Sequence, residues 1–181
     1  MKFEINMVVI EGCDLAGKSS LFRSLHKETD MRYNIHDRSS LTCLVCAQFY
    51  GRDVKYFERR VESQMRNLSN VIILLHPTFD EILRRYAIRG DELHDEKSLE
   101  SMYELYDRQV KRWSGSPNIV LYREGSLDEI TLSCFTKLKE MEKMTADNVM
   151  KISKNSLSLE SGYHFELFDE DTGRTRSIQI T

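Results

Sequence analysis

The sequence predicts an α/β fold: a parallel sheet with helices on both faces, followed by a small C-terminal β appendage. Three observations predict it. An apolar run from Phe3 to Ile10 leads through the glycine-bearing turn Glu11 to Gly17 directly into a helical pattern. A second run, Val71-Ile72-Ile73-Leu74-Leu75, is aliphatic throughout and is stopped by His76-Pro77. Around these, segments of helical period alternate with short strand-like ones, the order that a parallel sheet with crossover helices requires.

Taken in order, Phe3, Ile5, Met7, Val8, Val9 and Ile10 form the first strand, nearly continuous at its end as in a buried parallel sheet. From Lys18 to Lys27, Leu21, Phe22 and Leu25 recur at helical spacing. Arg32 to His36 reads as a weaker strand ending at Asp37-Arg38. Helical patterns cover Leu41 to Tyr50 and Val54 to Leu68, broken near Gly51. After the strand Val71 to Leu75, a helix from Phe79 to Arg89 ends at Gly90, a residue suited to a C-terminal stop. Asp95 to Trp113 is a further helix with Leu99, Met102, Tyr103, Tyr106 and Val110 on one face. Gly115, Ser116 and Pro117 end it, and Ile119 to Tyr122 is another strand. Ser126 caps a last helix reaching Lys143, with Glu129 completing a capping box.

Beyond Asn148 the pattern changes. Val149 to Ile152, Tyr163 to Phe168 and Thr175 to Ile180 read as short strands, with Asp171-Thr172-Gly173 as a hairpin turn. The expected division is a main domain over 1–146 and a β extension over 147–181, the latter too small to be stable alone.

At 181 residues, 40% apolar and 30% charged, the chain has the balance of an ordinary globular protein. Its longest aliphatic run, Val71 to Leu75, is far shorter than the roughly 20 residues that cross a bilayer. The N-terminus enters a strand without the basic, apolar and cleavable stretch of a signal peptide, so a cytoplasmic location with no membrane partner is expected. Four cysteines make no disulfide framework. Cys43 and Cys46 form a Cys-x-x-Cys pair, but with no second pair and five scattered histidines they read as small apolar residues facing inward on one helix. A net charge of −3 gives no general attraction to polyanions and disfavours nucleic-acid binding as the sole function, while leaving room for a local basic cleft.

Gly12-Cys13-Asp14-Leu15-Ala16-Gly17-Lys18-Ser19 satisfies G-x-x-x-x-G-K-[ST], with the strand before it and the helix after it that this phosphate-binding loop needs. Glycines let the backbone curl so that successive N–H groups point at phosphate oxygens. The following helix aims its positive end at the same anion. Lys18 is placed to reach the β and γ phosphates of ATP, and the Ser19 hydroxyl to complete the coordination of magnesium. The cofactor-binding set is therefore Gly12, Cys13, Asp14, Leu15, Ala16, Gly17, Lys18, Ser19 and Ser20, for ATP and Mg2+. Such a loop alone does not separate kinases from switches, motors or ATPases. A guanine-reading Asn-Lys-x-Asp sequence is absent from the chain.

Read as Glu11-Gly12-Cys13-Asp14-Leu15-Ala16-Gly17-Lys18-Ser19, the loop resembles that of thymidylate kinases and their relatives. Ile35-His36-Asp37-Arg38-Ser39 is similar to the family's apolar-Asp-Arg motif, and Thr42 with Ala47-Gln48 lies close to its Ser and Ala-Tyr-Gln positions. His76-Pro77-Thr78-Phe79-Asp80-Glu81 stands where the family has an Asp-x-Pro-Glu region, a partial match. Arg85 and Arg89-Gly90 fall where paired arginines open the family's lid, and the likeness spans residues 3 to 143. The resemblance implies an ATP-dependent kinase. It places Asp37 near magnesium or the acceptor, and Arg38 on the transferring or acceptor phosphate. Asp14 would accept a hydrogen bond from the acceptor hydroxyl or sugar. Arg85 and Arg89, one helical turn apart, would neutralise charge on the triphosphate. The expected catalytic set is Lys18, Asp37, Arg38, Arg85 and Arg89, with Ser19 and Asp37 at the metal.

One departure limits the match. Only 19 positions separate Lys18 from Asp37, and the missing piece includes the strand and Arg-Glu-Pro-Gly segment that grips the acceptor monophosphate in the family. A nucleotide or nucleoside acceptor is expected first; a hydroxyl on a modified pyrimidine in DNA, and a nucleotide-binding module without chemistry, are the alternatives. The β tail either rebuilds the acceptor side or joins two copies as a homodimer. Phe49, Tyr50 and Tyr56 read as core aromatics, with base stacking as the other role open to them.

Overall fold

The computed structural model describes residues 2–90, 94–144, 163–169 and 172–180. Its centre is a parallel sheet of β2 (Met7–Glu11), β3 (Ile35–Asp37), β4 (Asn70–Leu75) and β5 (Ile119–Tyr122), in the order β3-β2-β4-β5. Val8 lies opposite Ile35 on one side and Val71 on the other, and Ile73 lies opposite Val120. Every residue of β4 is buried, which accounts for the unbroken aliphatic run from Val71 to Leu75. Burying each such side chain stabilises by about 1.5–3 kcal/mol.

Six helices among the described residues complete the domain: α1 (Lys18–Glu28), α2 (Ser40–Phe49), α3 (Lys55–Arg66), α4 (Phe79–Arg89), α5 (Glu96–Trp113) and α6 (Leu127–Glu142). α1 packs on α6, while α2 packs on α3 and α5, so both faces of the sheet are covered. Buried Leu99, Met102, Tyr106 and Val110 form the inner face of α5, as the spacing predicts. The capping box of Ser126 and Glu129 is present in full. Thr78 and Asp95 cap α4 and α5 by accepting backbone N–H bonds from Glu81 and Ser98.

Two expectations are corrected. Phe3 does not belong to the strand that ends at Ile10: it lies in a separate short strand, β1 (Lys2–Phe3), antiparallel to β6 (Tyr163–Asp169), which in turn pairs with β7 (Arg174–Ile180). The break is enforced where the Asn6 N–H turns to the Ser69 carbonyl at 2.8 Å. This three-stranded sheet is tied to the main domain at a second point, where the Leu68 N–H donates to the His164 carbonyl at 2.7 Å and the Glu166 N–H to Ser69 Oγ at 2.6 Å. Thr172 and Gly173 turn the hairpin. The strand expected at Val149 to Ile152 lies outside the described residues. The second correction concerns Cys43, which shares α2 with Cys46 as expected but does not face inward: it is exposed, while Cys46 is half-buried and packs against the core. Leu41, Leu44 and Val45 set the buried face of that helix, and Cys43 is about 100–200° round the axis from them.

Candidate active site

The loop between β2 and α1 lies at the carboxyl end of the sheet, where open α/β folds bind ligands. Gly12 has φ +147°, and an added Cβ there would sit 2.2 Å from the Leu75 carbonyl oxygen, so glycine alone lets the loop pass the end of β4. Gly17, at φ +100°, precedes α1 without a side-chain cap, leaving the first N–H groups of the helix for an anion. Lys18 is buried, and its Nζ donates to the Gly12 carbonyl at 2.8 Å and the Cys13 carbonyl at 2.7 Å. Burial and the nearby Arg38 charge hold its ammonium below the ordinary lysine pKa, against the pull of Asp14 at 3.7 Å. From outside the loop, Arg85 donates Nη1 to the Leu15 carbonyl at 2.9 Å and Nε to Glu81 at 2.7 Å.

The register of β3 beside β2 puts Asp37 opposite Ile10 and brings its carboxylate to the start of α1. Ser19 Oγ donates to Asp37 Oδ2 at 2.8 Å. The other oxygen, Asp37 Oδ1, is buried with no hydrogen-bond partner. That orphaned acceptor beside a hydroxyl fits magnesium, which is commonly bound through one or two carboxylates plus substrate phosphates rather than by an all-protein cage. Ser19 and Asp37 are the side chains that would hold such an ion.

Arg38 turns the chain away from the strand with φ +78°, unusual for a residue with a side chain. Its N–H donates to the Ile10 carbonyl at 3.0 Å, and its Nη2 donates to Asp14 Oδ1 at 2.7 Å. Burial pushes the Asp14 carboxyl up, but the Lys18 and Arg38 charges outweigh it and hold the group below its ordinary value. Asp14 therefore stands ionised between two cations, with His94 Nε2 at 3.8 Å from its second oxygen. Phe49, at the end of α2, meets the His94 ring edge-on at 5.8 Å.

Glu11 anchors this arrangement; sequence reasoning read it as the residue that opens the family-like loop motif and gave it no role. It is fully buried, the last residue of β2. Ser39 Oγ donates to its Oε1 at 2.6 Å, as does the Thr42 N–H at 3.2 Å, and Thr42 Oγ1 donates to Oε2 at 2.6 Å. Because the Thr42 hydroxyl has one proton, the Tyr106 hydroxyl 2.9 Å away is the donor to it. Burial, reinforced by the Glu11 charge, pushes the Tyr106 phenol well above its ordinary pKa and keeps that proton in place. Two signals were present in the sequence: its place before the loop's first glycine, and a carboxylate closing an otherwise apolar strand.

The remaining expected residues divide. Ser20 is exposed on the first turn of α1. Arg89 is exposed on α4 with no partner among the described residues, so the structure brings Arg85 to the loop but not Arg89. His76, at the partly matched position after β4, is buried, bonds Asp107 at 3.1 Å and stacks on Tyr103 at 4.5 Å.

The sequence matches no protein-family model and no curated protein. Among solved structures the chain is similar to the YorR protein of Bacillus subtilis in complex with phosphorylated GDP, at 23% identity and TM-score 0.58 over 74% of this chain and 95% of that one. It is also similar to deoxyadenosine kinase from M. mycoides with dCMP and a flexible dCDP bound, at 13% identity and TM-score 0.53 over 74% of this chain and 99% of that one. The same kinase with bound dCTP aligns at 14% identity and TM-score 0.53. These likenesses show that the chain shares the α/β fold of those proteins.

Proposed function

We propose that this chain is an ATP-dependent phosphotransferase acting on a deoxynucleotide or deoxynucleoside, with a donor half like that of thymidylate kinases. The observation that carries the reading is the pairing of Ser19 with Asp37, whose second carboxylate oxygen is left without a partner beside a buried Lys18. Deoxynucleotide ligands in the deoxyadenosine kinase of similar fold support the acceptor class. Magnesium, when bound, supplies neutralising charge at the β and γ phosphate oxygens.

The chain's own residues supply the rest. Backbone N–H groups of the loop and the start of α1 hold the β phosphate, and Lys18 exchanges the Gly12 and Cys13 carbonyls for phosphate oxygens. Arg85 braces the loop through the Leu15 carbonyl, and Arg89, exposed on the same helix, closes over the triphosphate. On the acceptor side Arg38 is paired with Asp14, so an incoming phosphate competes for a guanidinium already aimed at the loop. Asp14 then accepts from the acceptor's sugar.

Transfer of labelled γ-phosphate from ATP to a panel of deoxynucleosides and deoxynucleoside monophosphates tests the reading. Label on one or more members, lost in Lys18→Ala, is the expected result. ATP binding with no label on any of these acceptors or on DNA would overturn it in favour of a nucleotide-binding module.

A further inference from the structure

A chain of rings runs from the acceptor side of the loop to the surface. Asp14 faces His94, His94 meets Phe49, and Phe49 meets Tyr50 edge-on at 4.9 Å. Tyr50 is the C-cap of α2 and is 53% exposed; Tyr56, in the first turn of α3, is 60% exposed. Both lie at the turn that joins the two helices. Among the described residues these are the two exposed aromatic side chains, and they occur together.

Each ring carries a guanidinium. Arg52 lies 5.1 Å from the Tyr50 centroid and Arg60 5.7 Å from that of Tyr56. Lys55 and Arg59, both exposed, add two more cations against Asp53 and Glu58, and Asp53 is already engaged by the Lys55 N–H. The turn is thus locally basic in a chain of net charge −3. A solvated helix face accounts for the charges and for Arg60, which donates Nη1 to the Tyr56 hydroxyl at 3.1 Å, but not for two tyrosine rings exposed side by side. Rings that present a stacking surface, interleaved with cations, are the elements of a single-stranded nucleic-acid platform. A duplex offers no free base faces to such rings.

We infer that the α2–α3 turn binds single-stranded nucleic acid whose terminal nucleotide reaches the loop at Asp14, so that the acceptor of the proposed site is part of a strand. The part of this that concerns the acceptor rests on the kinase reading above; the docking surface does not. In the transfer, the strand's hydroxyl oxygen bonds to the γ-phosphorus, the bond from that phosphorus to the β–γ bridging oxygen breaks, ADP leaves with the electron pair, and the hydroxyl proton passes to solvent.

The test is fluorescence anisotropy of a labelled oligothymidylate of about twelve nucleotides, close to the site size of known single-strand platforms. With four cations available, log affinity is expected to fall against log salt with a slope of about −2 to −3, at roughly −0.7 per phosphate. Tyr56→Ala, at an exposed position, is expected to weaken binding about tenfold. Binding that ignores salt, is unchanged by Tyr56→Ala and Arg52→Glu, or is matched by duplex of the same length would overturn the inference. Label on free deoxynucleotides without oligomer binding would also sink it and leave the kinase reading standing. Salt-sensitive oligomer binding with no label on strand or free acceptor would uphold the docking surface and sink the kinase reading.

Discussion

Replacing Gly12 by alanine tests the contact on which the loop's shape depends. A Cβ at this position would lie 2.2 Å from the Leu75 carbonyl oxygen and 3.3 Å from Ala16 Cβ, on a backbone at φ +147°. The carbonyl belongs to the fully buried strand β4 and cannot swing aside. Backbone strain in that region costs about 1–3 kcal/mol, and overpacking adds about 1–3 kcal/mol. A loss of about 2–6 kcal/mol is a large part of the roughly 5–15 kcal/mol that stabilises a domain. Gly51→Ala is the matched control: it shares a positive φ, +64°, but a Cβ there meets nothing within 4 Å. It should lose only the roughly 1–2 kcal/mol of left-handed strain. Urea melts of both variants separate the two contributions. Equal losses would refute the reasoning, because they would mean that the approach of loop and strand carries no energetic consequence.

Glu11→Ala leaves the Ser39 and Thr42 hydroxyls and the Thr42 N–H without their acceptor, and should destabilise by on the order of 3 kcal/mol in the same urea assay. His76 is held below its ordinary pKa of 6.5 by burial, although Asp107 pulls the other way and Arg123 and Lys111 oppose protonation. It therefore folds neutral, and its contribution is complete above pH 6.5 and lost as pH falls through the depressed folded value. Thermal melts on the acid side of neutrality should show a shallower fall in His76→Gln than in the wild type. Burial pushes the Cys13 thiol up to about 12, whereas Cys43 is exposed. Iodoacetamide at mildly alkaline pH, read by mass spectrometry, should label Cys43 in the native protein and Cys13 only after denaturation.

What could be read in the sequence was what is decided locally. The aliphatic strand at β4, the capping box at Ser126 and the stop at Gly90 each announce themselves within a few residues, and all three stand in the structure. The loop from Gly12 to Ser19 and its partner Asp37 were legible because a motif and a strand end coincide. The split between β1 and β2 was not, since it depends on β6, more than a hundred residues away. The phase of α2 was misjudged for a similar reason: period alone tolerates several rotations, and the choice is made by Glu11 pulling in Ser39 and Thr42. His94 approaches Asp14 across a large sequence separation and leaves no pattern behind.

The short spacing between Lys18 and Asp37 explains why Glu11 matters. β3 has only three residues and lies at the edge of the sheet, so its ladder with β2 is a weak hold on the turn that follows. That turn carries both Asp37, which meets Ser19, and Arg38, whose left-handed backbone costs about 1–3 kcal/mol. The Arg38 N–H on the Ile10 carbonyl and the guanidinium on Asp14 offset part of this. The remaining restraint comes from just beyond the turn, where Glu11 fixes Ser39 and Thr42 at the start of α2. Glu11 is also the residue immediately before the phosphate loop. One buried carboxylate thus ties the phosphate loop, Asp37 and Arg38 into a single rigid unit without a further strand. Loosening it should displace Asp37 and Arg38 together, whereas Arg85, which braces the loop from α4 through Leu15, should keep its contact.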